Sequence, residues 1–172
     1  FMRLRQELEL KGHQFNSRTD TEVVAHLVEE CLGSGKSFAE AVRLTSKKLT
    51  GAYALALISS LEPDKVVCVR NESPLVVGRG TDSNYCASDI PAFLSRTNQV
   101  IFLEDDEMAV LTADKVRLLH ISDGEELTRE PVTIDWNAET ALKTGYRHFM
   151  LKEIHEQPMT VRNALRTHPI YL

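Results

Sequence analysis

The chain has 172 residues, 42% of them apolar and 26% charged, with a net charge of −5 at neutral pH. That is enough for one domain with a real core, and too ordinary a balance for disorder. The charges are spread rather than blocked, which argues against a nucleic-acid or anionic-membrane surface; no apolar run approaches the ~18 residues of a membrane span, and the opening "FMRLRQELELKG" is no signal peptide.

The first predicted element is a helix already under way, with Leu4, Leu8 and Met2 on one stripe and Gly12 as its stop. Nothing able to cap it precedes it, so the chain is expected to be a fragment of something longer. From Thr19, apolar residues at Val23, Val24, Leu27, Val28, Cys31 and Leu32 predict a one-faced helix ended by Gly33. A third helix starts at Ser37 as cap and carries Phe38, Ala41, Val42, Leu44 and Leu49. After that the pattern changes to strands. "AYALALIS", "KVVCVR", "PLVVG" and "NYCAS" are strand-like, and "DIPAFL" is a helical turn capped by Asp89. "QVIFLE", "EMAVLT", "KVRLLH" and "EPVTI" follow as a meander with turns at "EDDE" and "SDGEE". Helices first, then roughly eight short strands, predict an α+β layout with helices covering a sheet face. From Asp135 the strand pattern stops. "WNAETALKTGYRHFMLKEIHEQP", with its central Gly145 and a closing Pro158, reads as a linker or a docking segment.

The densest polar stretch is "NSRTDTE", Asn16 to Glu22. Thr19-x-x-Glu22 fits a capping box, in which the Thr19 hydroxyl accepts from the Glu22 amide and the Glu22 carboxylate from the Thr19 amide. Asp20 then occupies the first helical position. Either it complements the helix's positive end, or it leans outward to accept a substrate ammonium. "GSGKS" is not a phosphate loop, because Glu30 stands where a glycine is required and a helix, not a strand, leads in. "EDDE" lacks the spacing of a calcium loop and reads as a solvated hairpin turn. No Cys or His pair stands at zinc-site spacing; His148 and His155, seven apart, suit docking contacts. Cys31, Cys68 and Cys86 read as reduced thiols packed as small hydrophobes, and the sequence around Cys68 and Cys86 shows nothing to lower a thiol pKa. No nucleophile is paired with a base.

Several stretches together resemble one family: "SRTDTEVVAHLVEE", "LTGAYALALIS", "VRNESPLVVGRG", "YCASD", "FLEDDEMAVL" and "YRHFMLKEIHEQP". From Leu4 to about Leu165 their order and spacing are similar to the later part of the glutaminase domain of the glutamine–fructose-6-phosphate aminotransferases. The "TDTE" and "SPL" elements are shared more widely among class II glutamine amidotransferases, whereas the "HFMLKEIHEQP" tail is more restricted. The resemblance implies an N-terminal-nucleophile hydrolase-type αββα sandwich, incomplete at its N-terminal side. Residues 1–136 would belong to the glutaminase domain, and 137–172 to a linker toward a sugar-phosphate isomerase region that is missing here.

The resemblance also implies a reaction. An N-terminal Cys attacks the glutamine amide, its own α-amino group acting as base, to give a glutamyl thioester and ammonia; the ammonia then serves glucosamine 6-phosphate synthesis. Asp20 matches the aspartate that grips the glutamine α-ammonium. The family's nucleophile, carboxylate-binding arginine and oxyanion-hole residues lie upstream of this stretch. Phe1 is not the nucleophile, and none of the three cysteines matches a catalytic position, so the chain by itself is expected not to hydrolyse glutamine. Arg18 stands where the family commonly has Glu, and Asn71-Glu72 where a small residue and Gly precede "SPL". The implied ligand is L-glutamine, with no cofactor and no metal, in a cytoplasmic protein that contacts neither nucleic acid nor membrane. Exposed sheet edges left by missing strands predict a homo-oligomer. Two alternatives stand beside this: a binding module that kept the pocket without catalysis, and an interaction module that docks through the "YRHFMLKEIHEQP" segment.

Overall fold

The computed structural model describes residues 1–135 and 145–167. Contacts divide the chain into two units, Phe1–Ile134 and Asp135–Leu172.

Helix α1 (Met2–Leu10) buries Leu8 and half-buries Leu4. Met2 is 59% exposed rather than sharing their stripe. It lies two residues before Leu4, about 200° around the helix, whereas Leu4 and Leu8 are one turn apart. Gly12 ends the helix at φ 98°. Its amide donates to Glu9 O (3.0 Å) and the His13 amide to Leu8 O (3.1 Å). This is a Schellman closure, and it fixes where His13 leaves the helix.

Helix α2 (Thr21–Gly33) buries two faces. Val23 and Leu27 meet Leu8 and Phe15, while Val28, Val24, Cys31 and Leu32 join the larger core. Gly33 is its last residue, but the left-handed turn falls on Gly35 (φ 81°), whose amide donates to Leu32 O. Helix α3 (Phe38–Ser46) starts as expected, the Ser37 hydroxyl accepting from the Glu40 amide.

Nine strands follow among the described residues. They are β1 (Tyr53–Leu57), β2 (Val66–Asn71), β3 (Val76–Arg79), β4 (Asn84–Ala87), β5 (Gln99–Phe102), β6 (Glu107–Leu111), β7 (Val116–His120), β8 (Glu126–Leu127) and β9 (Val132–Thr133). They form two antiparallel sheets, β1-β2-β6-β7-β8 and β4-β3-β5-β9. The two sheets are those the resemblance implies, but the expected meander from "QVIFLE" to "EPVTI" does not form, because β5 and β9 lie in one sheet and β6 and β7 in the other; the chain changes sheets between β2 and β3, β5 and β6, and β8 and β9. The strands themselves show why. On β2, Val67 and Val69 face the helices while Cys68 faces the second sheet; on β6, Met108 and Val110 face the helices while Ala109 and Leu111 face the second sheet. Strands apolar on both faces need a layer on each side.

The core between the sheets contains Cys68, Leu75, Val77, Ile101, Leu103, Leu111 and Leu118. On the outer face of the second sheet, Val76 and Val100 are covered by Ile90 and Phe93. Ile90 opens a short 3-10 turn (Ile90–Ala92) that Phe93 ends as C-cap; Asp89 caps its start, its Oδ1 accepting from the Ile90 amide at 2.8 Å. Gly78 is required beneath it, since a Cβ there would stand 2.7 Å from the Phe93 ring.

In the second unit, helix α4 (Phe149–Thr167) runs through Pro158 instead of stopping there. A proline removes one amide donor, and the helix carries on past that single lost bond. Just before this helix, Tyr146 stacks on His155 with centroids 5.3 Å apart.

Candidate functional site

The segment between α1 and α2 is held at several points. Phe15 packs against Leu8, Val23 and Leu27, under the Arg5 guanidinium at 4.3 Å. Arg5 donates to Ser17 O (2.9 Å) and pairs with Glu9 (3.0 Å). Glu22 then reaches back from the first turn of α2. Its carboxylate accepts from the amides of Asn16 (2.7 Å) and Ser17 (2.8 Å) and from the Ser17 hydroxyl. These contacts hold the Glu22 carboxyl below its ordinary value, the Ser17 hydroxyl contributing most.

The expected Thr19–Glu22 capping box does not form. Thr19 Oγ1 bonds the Ser17 hydroxyl at 2.7 Å, and the Thr19 amide donates to Ser17 Oγ at 3.2 Å. The chain folds back far enough for Glu22 to reach the amides of residues 16 and 17, beyond the usual cap position. Asp20 sits immediately before Thr21 with helical φ and ψ (−70°, −31°). Its side chain is exposed and makes no capping bond, and no hydrogen bond or ion pair to it occurs among the described residues. Capping falls to Glu22 and Ser17, and the Asp20 carboxylate is left at the positive end of the helix without a partner among the described residues.

Beside α2 lies a mainly apolar cavity of about 930 Å³, lined by Thr21, Val24, Val28, Phe38, Leu55, Leu57, Ile58 and Leu61 among others. Thr21 is the point at which this cavity adjoins Asp20, which does not line it. The cavity borders β1, the edge strand of the first sheet, next to Ile58 and Leu61, which are 79% and 72% exposed.

The other predicted features land elsewhere. "EDDE" is solvated over Glu104, Asp105 and Asp106, as expected, but it is not a hairpin: it carries the chain from one sheet to the other, and Glu107 is buried. Glu107 is 3% exposed and accepts from both Arg129 Nη atoms at 2.7 and 2.8 Å, and Asp105 accepts from Arg70 (2.6 Å) and the Glu72 amide (2.8 Å). Glu72, at a position where the resemblance implies Gly, takes a left-handed φ of 58°. This backbone favours glycine and explains the family preference.

Cys68 and Cys86 come from opposite sheets into one core, both free. Their mutual hydrogen bond raises the Cys68 thiol, with burial adding to the rise, and lowers Cys86 to about 7 against its own burial. The expectation that nothing lowers either thiol is thus corrected for Cys86; the cause is a neighbour 18 positions away, across the sandwich. His13 and His26, too far apart in sequence to suggest a pair, meet edge to face with ring centroids 4.8 Å apart. The regular i, i+3 step from His26 to Glu29 on α2 is the one local signal that points to this cluster.

The pattern of the family described as "Glutamine amidotransferase domain" matches residues 1–95. The glutamine–fructose-6-phosphate aminotransferase (isomerizing) of Thermococcus kodakarensis is 51% identical, over 96% of this chain and 27% of its own length. The protein of the same name from Methanothermobacter thermautotrophicus is 46% identical, over 96% of this chain and 28% of its own. Among solved structures, the glutamine phosphoribosylpyrophosphate amidotransferase of B. subtilis, complexed with ADP and GMP, superposes with a TM-score of 0.59 at 26% identity. That match covers 71% of this chain and 27% of the other. The chain thus spans little more than a quarter of the length of the curated relatives it matches.

Proposed function

Because the chain belongs to the glutamine amidotransferase domain family, we propose that it is the part of a glutaminase domain that receives the α-ammonium of L-glutamine, with Asp20 as acceptor. Its facing antiparallel sheets are those of the N-terminal-nucleophile hydrolase sandwich. One observation carries the proposal: Glu22 and Ser17 hold the end of α2, and the Asp20 carboxylate remains exposed with no partner among the described residues. An anion at a helix N-terminus suits a cationic ligand group. The Arg5, Phe15 and Glu22 contacts hold the preceding loop in place, so little ordering is left for the moment of binding.

The reaction we assign to the whole enzyme is the conversion of fructose 6-phosphate and glutamine to glucosamine 6-phosphate and glutamate. Hydrolysis needs a thiol with an adjacent base. The three cysteines of this stretch are free and packed in or against apolar cores, so the part we assign to it is glutamine binding and not the covalent step. The free thiols suit a reducing compartment, and we place the protein in the cytosol on that ground; thiols found oxidised in freshly lysed cells would remove that ground.

Calorimetry with L-glutamine and with glutaramate, which lacks only the α-amino group, tests the role of Asp20. The chain should prefer glutamine by about tenfold or more, as for a charge-assisted hydrogen bond, and Asp20→Asn should abolish the preference. Equal binding of the two ligands by the unaltered chain would sink the assignment.

We propose further that the apolar cavity beside β1 is an interface between copies of this chain. An unpaired edge strand flanked by exposed Ile58 and Leu61 is a template for association. Light scattering should report a dimer or larger, and Ile58→Lys should dissociate it; a monomer at all concentrations would refute the proposal.

A further inference from the structure

We propose that His13 Nδ1, His26 Nδ1 and Glu29 Oε2 form a binding site for a divalent transition-metal ion of the zinc type, tying the end of α1 to α2. The three atoms converge, with separations of 3.0 Å (His13–His26), 3.4 Å (His26–Glu29) and 3.5 Å (His13–Glu29). Ligands 2.0–2.1 Å from a tetrahedral zinc stand roughly 3.3–3.4 Å from one another. The triangle is therefore already close to one face of a zinc tetrahedron, and small side-chain rotations complete it.

The backbone holds each ligand from a different source. His13 follows the Schellman closure of α1, and His26 and Glu29 stand one turn apart on α2. The rings are oriented on their far sides as well. His13 Nε2 faces Glu30 at 3.5 Å, and His26 Nε2 faces Glu22 at 3.9 Å. With metal on both Nδ1 atoms each Nε2 carries a proton, and each then points at a carboxylate, the second-layer arrangement that metal-bound histidines commonly have. Phe15 packs edge to face on the His26 ring at 4.4 Å and limits its rotation.

A hydrogen bond between the rings accounts for less. One proton can bridge the two Nδ1 atoms, but it leaves the Glu29 carboxylate equally near both without a role. The cleft in front of the cluster, about 430 Å³ and lined by Lys11, Gly12, Gln14 and the three ligands, gives a fourth ligand room to enter as water. Two imidazoles and one carboxylate favour Zn²⁺, Co²⁺, Ni²⁺ or Cu²⁺ over Mg²⁺ and Ca²⁺, which prefer all-oxygen shells. The consequence is mechanical. The ion staples the two ends of the loop that presents Asp20, and it does so whether or not glutamine binds there.

The test is titration of the 172-residue chain with Co²⁺, followed by visible absorption, and then displacement with Zn²⁺. One Co²⁺ should bind per chain with the intense bands of a four- or five-coordinate ion, and Zn²⁺ but not Mg²⁺ should remove it. Zn²⁺ should also raise the melting temperature, by linkage to the folded state. His13→Asn and Glu29→Gln should each weaken binding by about tenfold or more; Glu29 is 71% exposed at its side chain, so its variant reports on the site without disturbing the fold. The proposal is overturned if the cobalt spectrum stays that of the hydrated ion. It is equally overturned if both variants bind as the parent does, or if a sulfur-to-cobalt charge-transfer band puts the ion on the thiols.

Discussion

Two acidic stretches of this chain, the α2 entrance at residues 16–22 and the sheet crossover at residues 104–107, look alike as text and behave differently as structure. In the crossover, Glu107 is buried against Arg129, and Asp105 holds both Arg70 and the Glu72 amide. At the helix entrance Glu22, with Ser17, takes the structural work, and Asp20 is left outside it. A carboxylate that the fold has used is a poor candidate for ligand binding. One that the fold has left free, at a place where negative charge is favoured, is a good one.

The contrast predicts a graded response to substitution. Arg129→Ala should be the most damaging, because it leaves the Glu107 carboxylate buried without its cation. We expect a loss of about 3 kcal/mol in urea unfolding, at the low end for buried pairs because the Arg129 side chain is itself 30% exposed. A loss no larger than that of an ordinary surface change would mean that Glu107 is satisfied some other way.

Glu22→Gln should destabilise less, and in a pH-dependent way. The folded-state pKa of Glu22 lies below its ordinary value of 4.5, chiefly through the Ser17 hydroxyl and then the Asn16 amide. A depressed carboxyl stabilises the fold in full above the unfolded value, and the stabilisation fades as pH falls through the folded one. The stability gap between the parent and Glu22→Gln should therefore narrow as pH falls from about 6 through 4.5 and below. A gap that stays constant across that range would show that charge plays no part in the contact.

Asp20→Asn should do least, within about 0.5 kcal/mol of the parent, since it removes only the charge at the helix end. A larger loss in the same urea titration would make Asp20 a structural residue and erase the distinction between the two regions.

Much of this was legible in advance where the signal is local. Ser37, Asp89 and Gly12 each act within four residues of their own position, and all three stand at the predicted caps and stop. The continuous apolar runs of β2 and β6 called for a cover on both faces, but they did not say which layer each residue would meet: Val67 meets the helices and Cys68 the second sheet. The capping box failed for a similar reason. Its sequence spacing was right, but Glu22 found closer donors in Asn16 and Ser17 once Arg5 and Phe15 had drawn the loop back onto α1.

Local order outside the α2 entrance follows from the chain alone, because the caps at Ser37 and Asp89, the left-handed turn at Gly12 and the apolar periods are decided by neighbours a few residues away. The sheet crossings, the meeting of Cys68 with Cys86 and the convergence of His13 on His26 and Glu29 required the packed molecule. Each joins residues whose separation in sequence carries no preferred distance in space, so that only burial on both faces of a sheet, and the docking of one helix on another, brings them together.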